Sequence, residues 1–127
     1  MNVFDSSAIY KAIKSSKHAI LSQGYTSPLA YYELGNIVLK NSTQFKFYSS
    51  IEAQDVLEIC DIVLGQMRII NPDMKDIYVI ASKLHLSFYD ATYVCLAQKL
   101  NMPLITLDKK LTHKASSFVK ITPFENL

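Results

Sequence analysis

The sequence predicts an α/β fold in which a parallel sheet lies between two layers of helices. Short apolar runs, typical of buried strands, alternate with longer segments whose apolar residues recur at helical spacing. Strands separated by helices favour parallel pairing, with helices on both faces of the sheet. At 127 residues the chain has the usual length of one domain, and it contains no internal repeat, low-complexity segment or linker. We therefore expect a single αβα domain spanning residues 1–127.

The first half of the chain supplies two predicted strands and three predicted helices. Residues 2–4 are a short apolar run, and residues 6–16 place their apolar side chains at helical spacing. A second strand is expected within residues 24–28, whose final serine and proline cap and begin a helix over residues 28–40. Residues 51–65 carry a clean apolar stripe, and the glycine at position 65 is expected to end that helix.

The second half continues the alternation. Residues 67–70 form a third strand candidate, and the Asn-Pro pair after them begins a helix over residues 71–84. Residues 90–101 are expected to form a further helix, residues 103–107 read as a continuous apolar strand, and residues 118–121 give a last short strand. This succession completes the prediction of a layered α/β domain.

Four acidic residues follow predicted strands or begin predicted helices. Asp5 comes directly after the first strand, and Asp108 directly after the strand at 103–107. Glu33 lies in the early turns of the helix after the second strand, and Asp90 begins the helix that leads into 103–107. Ligands of such folds bind outside the carboxyl ends of the strands, so these four carboxylates mark the candidate site.

Two of these acids also have an ordinary structural explanation. Asp5 precedes the first helix and is a good residue to cap it. Asp108 precedes Lys109 and Lys110 and is a good turn former. The sequence leaves both explanations open beside the functional one.

The other two acids are harder to explain as surface groups. At 100° per residue, Asp90 is centred on the apolar stripe of its helix, while Thr92, Cys95 and Lys99 face away. That stripe consists of Tyr93, Val94, Ala97 and Leu100. Glu33 flanks the apolar stripe of its own helix. Burying an unpaired carboxylate costs on the order of several kcal/mol, so acids that lean inward need a cation, hydrogen bonds or a raised pKa.

A cluster of oxygen ligands at one sheet edge is typical of a hard divalent cation. Mg²⁺ and Mn²⁺ take oxygen ligands, and Mg²⁺ keeps several waters and is usually held by one or two carboxylates. Such an ion activates water and stabilises the leaving oxygen of a phosphodiester. If the four acids are set aside, 13 Lys and Arg face 7 remaining acids, and this balance of +6 is enough to attract a polyanion. The residues therefore favour phosphodiester hydrolysis.

The chain resembles the PIN-domain ribonucleases, and within them the small single-domain toxins of the VapC type. The resemblance covers nearly the whole chain and rests on "VFDSSAIY", "SPLAYYELGNIVLK", "LSFYDATYVCLAQKL" and "MPLITLDKKL", in that order. It implies a three-layer PIN-like domain with a five-stranded parallel sheet. It also implies a Mg²⁺- or Mn²⁺-dependent endoribonuclease, a small antitoxin protein that packs across the groove and masks the acids, and a homodimer.

The resemblance also implies roles for individual residues. The acidic cluster that holds the metal, directly or through water, and carries catalysis becomes Asp5, Glu33, Asp90 and Asp108. The polar supports that position carboxylates or water become Ser6, Asn36 and Thr106. The two-residue period of a strand places Thr106 on the same face as Asp108, which suits that role.

Basic and aromatic residues near the acids have two explanations each. The basic residues directly after Asp108 either form a solvated loop or contact RNA phosphates, and they are Lys109, Lys110, His113 and Lys114. The tyrosines near the acids either pack in the core, which we expect, or stack on a base, and they are Tyr31, Tyr32 and Tyr89.

Two other functions compete with that of a toxin nuclease. One is a PIN-domain protein that processes or binds RNA without a toxin role. The other is a phospho-acceptor receiver domain, which has similar length and alternation. A receiver needs paired acids after the first strand and a lysine before a proline near its end. Here Asp5 stands alone and Lys109 precedes Lys110, which argues against the receiver.

The remaining composition excludes several classes of protein. Half of the residues are hydrophobic and 19% are charged, as in globular rather than disordered chains. No apolar run approaches the roughly 18 residues of a spanning helix, so we expect a cytoplasmic protein without a membrane segment. Cys60 and Cys95 lie in apolar helices and are expected to be reduced and buried. The three histidines lack zinc-site spacing.

Overall fold

Four short strands form one parallel sheet at the centre of the protein. A computed structural model describes all 127 residues of the chain. The strands are Val3–Phe4 (β1), Tyr25–Thr26 (β2), Arg68–Ile69 (β3) and Leu104–Ile105 (β4). Their order is β3-β2-β1-β4, so β1 occupies an interior position between β2 and β4. This order brings the residue after β1 next to the residues that follow β4.

Six helices surround the sheet. They are Ser6–Lys14 (α1), Leu29–Thr43 (α2), Ser50–Gln66 (α3), Met74–Leu84 (α4), Phe88–Leu100 (α5) and Lys109–Ala115 (α6). Every pair of neighbouring strands is parallel, as predicted from the alternation of strands and helices. None of the helices is both long and apolar enough to cross a lipid bilayer.

The core consists of two apolar clusters, one on each face of the sheet. Val3 and Leu104 contribute to the cluster under α4, α5 and α6. Phe4 and Ile105 contribute to the cluster under α1, α2 and α3. Successive strand residues point to opposite faces, so β1 and β4 each supply one side chain to each cluster. The structure therefore confirms the predicted three-layer αβα class.

The expected fifth strand is reduced to a single bridge. Residues 118–121 were predicted to be a strand, but only Ile121 pairs, through an isolated parallel bridge to Leu104. The backbone nitrogens of Phe118 and Val119 both donate to the carbonyl oxygen of Ala115. Because these two residues complete the end of α6, they are not free to extend a ladder. The sheet therefore has four strands rather than five.

The middle of helix α5 is buried on all sides, contrary to the predicted amphipathic pattern. Residues 91–97 are all buried, including Thr92 and Cys95, which helical periodicity placed opposite the apolar stripe. The reason is tertiary: α5 packs on β1 and β4, and α4 covers its other side. The helix also begins at Phe88 with Ser87 as its cap, so Asp90 is its third residue rather than its first.

Other helix ends differ from the prediction by a few residues. Gly65 lies within α3, which continues to Gln66 because α3 packs against α2 along its length. Helix α4 begins at Met74, three residues later than expected, because Asp73 caps it by accepting a hydrogen bond from the backbone of Lys75. The two cysteines are unpaired and buried, as predicted.

Candidate active site

Asp5 lies at the end of the interior strand β1 and is 6% exposed. Its Oδ1 accepts hydrogen bonds from the Ser7 hydroxyl at 2.6 Å and from the Ala8 backbone nitrogen at 3.0 Å. Its Oδ2 accepts a hydrogen bond from the Thr106 hydroxyl. Three donors from two segments of the chain therefore hold this carboxylate in one orientation.

Two hydroxyl groups tie Asp5 to the residues after β4. The backbone nitrogen of Leu107 donates to Ser7 Oγ at 3.0 Å, and that of Asp108 donates to Thr106 Oγ1 at 3.1 Å. Thr106 thus lies against an acid, where a supporting residue was expected. Ser7 was missing from the prediction, which selected Ser6, because the sequence alone does not show which of two adjacent serines turns toward Asp5.

Glu33 is linked to helix α5 through Tyr93. The Tyr93 hydroxyl donates to Glu33 Oε1 at 2.5 Å, although Tyr93 itself is only 1% exposed. Burial raises the pKa of the Tyr93 phenol, and the hydrogen bond to Glu33 raises it further, so Tyr93 stays a donor at neutral pH. The Ser6 side chain lies beside the same phenol. Helical periodicity places Tyr93 on an apolar stripe, and its hydroxyl was the only sign that it has a polar partner.

Asp90 lies in the first turn of α5 and is half-buried. Burial raises the pKa of its carboxyl, and the negative charges of Asp108 and Glu33 raise it further. A hydrogen bond with Ser87 and the positive charge of Lys114 act in the opposite direction. These mutual effects place Asp90 between the acids of two different segments.

Asp108 is exposed and begins α6. Its Oδ1 accepts hydrogen bonds from the backbone nitrogens of Lys110 at 2.9 Å and Leu111 at 3.1 Å. Asp5 likewise caps α1 through Ala8. The capping explanation that the sequence left open thus describes both residues, and it does not remove either of them from the acidic cluster.

The four acids influence one another as charges. Burial is the main cause that raises the pKa of Asp5, and the charge of Glu33 adds to it. Asp90 responds to both Glu33 and Asp108. Nevertheless, no group of three His, Cys, Asp or Glu side chains is arranged closely enough to hold one metal ion unaided. The carboxylates are neighbours at one edge of the sheet, not a closed set of metal ligands.

The other predicted site residues are exposed to solvent. Asn36, one turn after Glu33 on α2, is exposed. The basic residues after Asp108 belong to α6 rather than to a loop, and Lys109, Lys110 and Lys114 are all exposed. Lys114 Nζ donates to the backbone oxygen of His85 at 2.8 Å, which holds its charge near Asp90.

The three tyrosines near the acids do not pack in the core, so that expectation was wrong. Tyr31 is 58% exposed, Tyr32 72% and Tyr89 61%. Tyr31 and Tyr32 pack edge to face with ring centroids 5.2 Å apart. Because α2 and α5 begin at the sheet edge, the first turns of both helices present their aromatic rings to solvent.

The donor set fits a hard divalent cation that keeps part of its water shell. Every candidate ligand is a carboxylate oxygen, and no histidine or cysteine belongs to the set, which excludes the usual ligands of zinc. Asp5 and Asp108 use Oδ1 for helix capping, and Asp108 keeps Oδ2 free of hydrogen bonds to the backbone. Mg²⁺ is commonly held by one or two carboxylates with waters filling its other positions.

Comparison with known proteins identifies a family and a similar sequence. Residues 3–116 match the PIN domain family. Over 97 residues the chain is 31% identical to the protein named Ribonuclease VapC3 of Pyrobaculum aerophilum, and this alignment covers 75% of the chain and 73% of that protein.

Solved structures share the fold. The crystal structure of PAE2754 from Pyrobaculum aerophilum superposes with a TM-score of 0.82 at 22% identity, covering 98% of this chain and 90% of that one. The structure of VapBC-1 from nontypeable Haemophilus influenzae gives a TM-score of 0.63 at 15% identity, covering 98% of each chain. A toxin–antitoxin complex from Klebsiella pneumoniae gives 0.62 at 17% identity, covering 96% of each chain.

Proposed function

The chain belongs to the PIN domain family, and we propose that it is a metal-dependent endoribonuclease that hydrolyses phosphodiester bonds in RNA. The observation that carries the proposal is the fixed carboxylate of Asp5, which three donors orient beside the charge of Glu33. Glu33 in turn lies near the charge of Asp90, and Asp90 near that of Asp108. A relative 31% identical to the chain is named a ribonuclease. The net basic charge outside the acidic cluster suits a polyanionic substrate.

Asp5, Asp90 and Asp108 would hold Mg²⁺ or Mn²⁺, directly or through water. When bound, such an ion lowers the pKa of water and neutralises charge on the leaving oxygen of the phosphodiester. Asp5 supplies the one carboxylate whose direction the fold already fixes. Asp90 and Asp108 supply oxygens from two helix starts, and the repulsion between them is relieved by positive charge.

Glu33 orients the attacking water in this proposal. The Tyr93 hydroxyl occupies its Oε1, which leaves Oε2 to accept a hydrogen bond from the water. Lys109, Lys110 and Lys114 lie on α6 next to Asp108 and provide contacts to RNA phosphates. Ser6 and Asn36 are supporting polar residues in the same scheme, with Thr106 directly behind Asp5.

A narrower part of the proposal is that the protein is the toxin of a VapBC-type pair and forms a homodimer. Similarity to a VapC ribonuclease supports this assignment, and proteins of the same fold are known from toxin–antitoxin complexes. A small antitoxin would cover the groove and mask the four acids. Induced expression should then arrest growth, and co-expression of a short neighbouring reading frame should restore it.

Cleavage of RNA by the purified protein tests the proposal directly. Wild-type protein should degrade a mixed RNA pool with Mg²⁺ or Mn²⁺ and leave it intact with EDTA. The matched control is Asp5→Asn, which keeps the size of the side chain and removes its charge. If the wild type leaves the pool intact in both metals, or Asp5→Asn cleaves equally well, the proposal is wrong. Tight RNA binding without cleavage would favour an RNA-binding PIN protein instead.

A further inference from the structure

A cavity of about 510 Å³ opens beside the acidic site, between α6 and the C-terminal segment. Its volume lies within the roughly 300–1,000 Å³ of typical small-molecule sites. Thr106 lines this cavity and also donates its hydroxyl to Asp5 Oδ2. The cavity therefore shares a wall with the acidic site, and a group bound in it lies one side chain away from Asp5.

The lining of the cavity combines the chemical groups that a nucleotide needs. Lys109 and His113 project from one face of α6, four residues apart, and Ser116 follows on the same helix edge. Ile121 supplies an apolar surface from the segment that pairs with β4. Glu125 lies on the C-terminal side, in the single helical turn Phe124–Asn126.

The charged residues on the two sides of the cavity do not form an ion pair with each other. The only ion pair in the protein joins Lys99 to Asp76, so Lys109 and Glu125 do not form a salt bridge. One side of the cavity is therefore positively charged and the other side is negatively charged. A phosphate is attracted to Lys109 and His113 and repelled by Glu125, so it enters in one orientation.

We propose that this cavity binds one nucleotide of the RNA next to the phosphate that is cleaved. Lys109 and His113 contact its phosphate, Ser116 contacts its ribose, and its base lies against Ile121. Glu125 accepts a hydrogen bond from an exocyclic amino group, because a carboxylate is an acceptor only. Adenine, cytosine and guanine carry such a group, whereas uracil has a carbonyl oxygen at the position of the cytosine amino group, and a carboxylate repels that oxygen. The cavity therefore selects against uridine.

The inference rests on the proposed function for the identity of the larger substrate, but nucleotide binding can be measured without catalysis. The probes are AMP, CMP, GMP and UMP with 5′ phosphates, added to the full-length protein in EDTA. Binding is followed by backbone amide NMR shifts. We expect shifts at residues 109–116 and 121–125, and weaker binding of UMP than of CMP.

Three variants make the test specific. Lys109→Gln should weaken binding of all four nucleotides by about fivefold or more, whereas Lys46→Gln, which removes an exposed lysine at the α2–α3 connection, should have no effect. Glu125→Gln should reduce the difference between CMP and UMP while keeping the affinity for phosphate. Equal binding by wild type and Lys109→Gln, or shifts confined to other regions, would overturn the inference.

The outcomes separate this inference from the proposed function. If nucleotides bind in the cavity but RNA stays intact in every metal, the inference of a nucleotide site is supported and the nuclease proposal is wrong. If RNA is cleaved but mononucleotides do not perturb the cavity, the nuclease survives and this inference fails. In a nuclease-active protein, Glu125→Gln should also change the base preference at one position next to the cut, which sequencing of the RNA ends detects.

Discussion

The two sides of the acidic site are built in different ways. The floor consists of Asp5 with the two hydroxyls that hold it, those of Ser7 and Thr106, and its carboxylate is almost fully buried. The rim consists of Asp90, which is half-buried, and Asp108, which is exposed. Each lies at the start of a helix. The fold alone orders the floor, whereas the rim acids have no hydrogen bond that directs them toward each other.

This difference indicates what each part contributes. Hydrogen bonds to a charged group are worth about 1.5–3 kcal/mol each, yet the pKa of Asp5 is still raised because burial outweighs its three donors. The floor therefore holds a charge that is oriented but incompletely compensated. The rim adds further negative charge nearby. A cation at this place would relieve both.

Removing the charge of the floor should have the largest effect. Asp5→Asn keeps the shape and a capping oxygen, but it deletes the one pre-oriented anion. We expect kcat for RNA cleavage to fall by about a thousandfold, because a group that stabilises transition-state charge is typically worth 10²–10³. Initial rates on a labelled RNA measure this. Asp55→Asn, on the exposed face of α3, is the control and should cleave normally. A loss below about tenfold would place Asp5 among the structural caps.

A rim acid should show a smaller loss of activity and the opposite effect on stability. Asp90→Asn should lower kcat by about a hundredfold and, in EDTA at neutral pH, preserve or raise the melting temperature. The pKa of Asp90 is raised in the folded state. Its favourable contribution to the free energy of unfolding is therefore present below the unfolded-state pKa and is lost as pH rises through the folded-state pKa. Removing the charge therefore removes a penalty that exists only at higher pH.

Thermal melts between about pH 4 and pH 8 test this sign. The melting temperature of Asp90→Asn should exceed that of the wild type by more as the pH increases, and the two melting temperatures should be closest near pH 4. Asp73→Ala provides the control, since Asp73 caps α4 outside the site and loss of the cap should only destabilise. If Asp90→Asn melts lower than the wild type at pH 8 in EDTA, Asp90 stabilises the fold instead of straining it.

The hydroxyl behind the floor should matter less than the acid itself. Thr106→Val removes the donor to Asp5 and leaves the Asp108 backbone nitrogen without its acceptor. We expect kcat to fall by about 10–100-fold and stability by about 1–3 kcal/mol. Thr92→Val is a matched control, because Thr92 is also buried and donates only to a backbone oxygen of α5. Urea melts should give Thr92→Val the smaller loss of stability, and only Thr106→Val should lose activity. Equal activity of the two would remove the positioning role of Thr106.

The sequence predicted the parts of this site better than their connections. Asp5 and Thr106 were each selected, but their contact depends on β1 and β4 being neighbours, a fact of topology that local patterns do not contain. Tyr93 was assigned to an apolar stripe because helical periodicity describes one exposed and one buried face. Its ring is indeed buried in the core, but the hydrogen bond from its hydroxyl to Glu33 depends on α2 lying next to α5, which the periodicity of one helix does not contain.

The fold shows the same division between local and tertiary information. The alternation of strands and helices was sufficient to predict the layers. The fifth strand failed because the backbone of Phe118 and Val119 is used to end α6, a competition that an apolar run does not reveal. The prediction that the tyrosines are buried was wrong for a related reason. Apolar character predicts burial, but Tyr32 and Tyr89 lie in helix turns at the open edge of the sheet.

Tyr93 tests whether Glu33 belongs to the floor or to the rim, with the smallest expected effect. Tyr93→Phe keeps the ring in the core and removes only the donor to Glu33 Oε1. Glu33 is partly exposed, so water can replace the lost hydrogen bond, and we expect a loss of about 0.5–1.5 kcal/mol and less than about tenfold in kcat. Tyr78→Phe, on the exposed side of α4, controls for the loss of a hydroxyl. A fall in kcat as large as that of Thr106→Val would mean that Glu33 must be held as rigidly as Asp5, and the floor would then extend across α5 to α2.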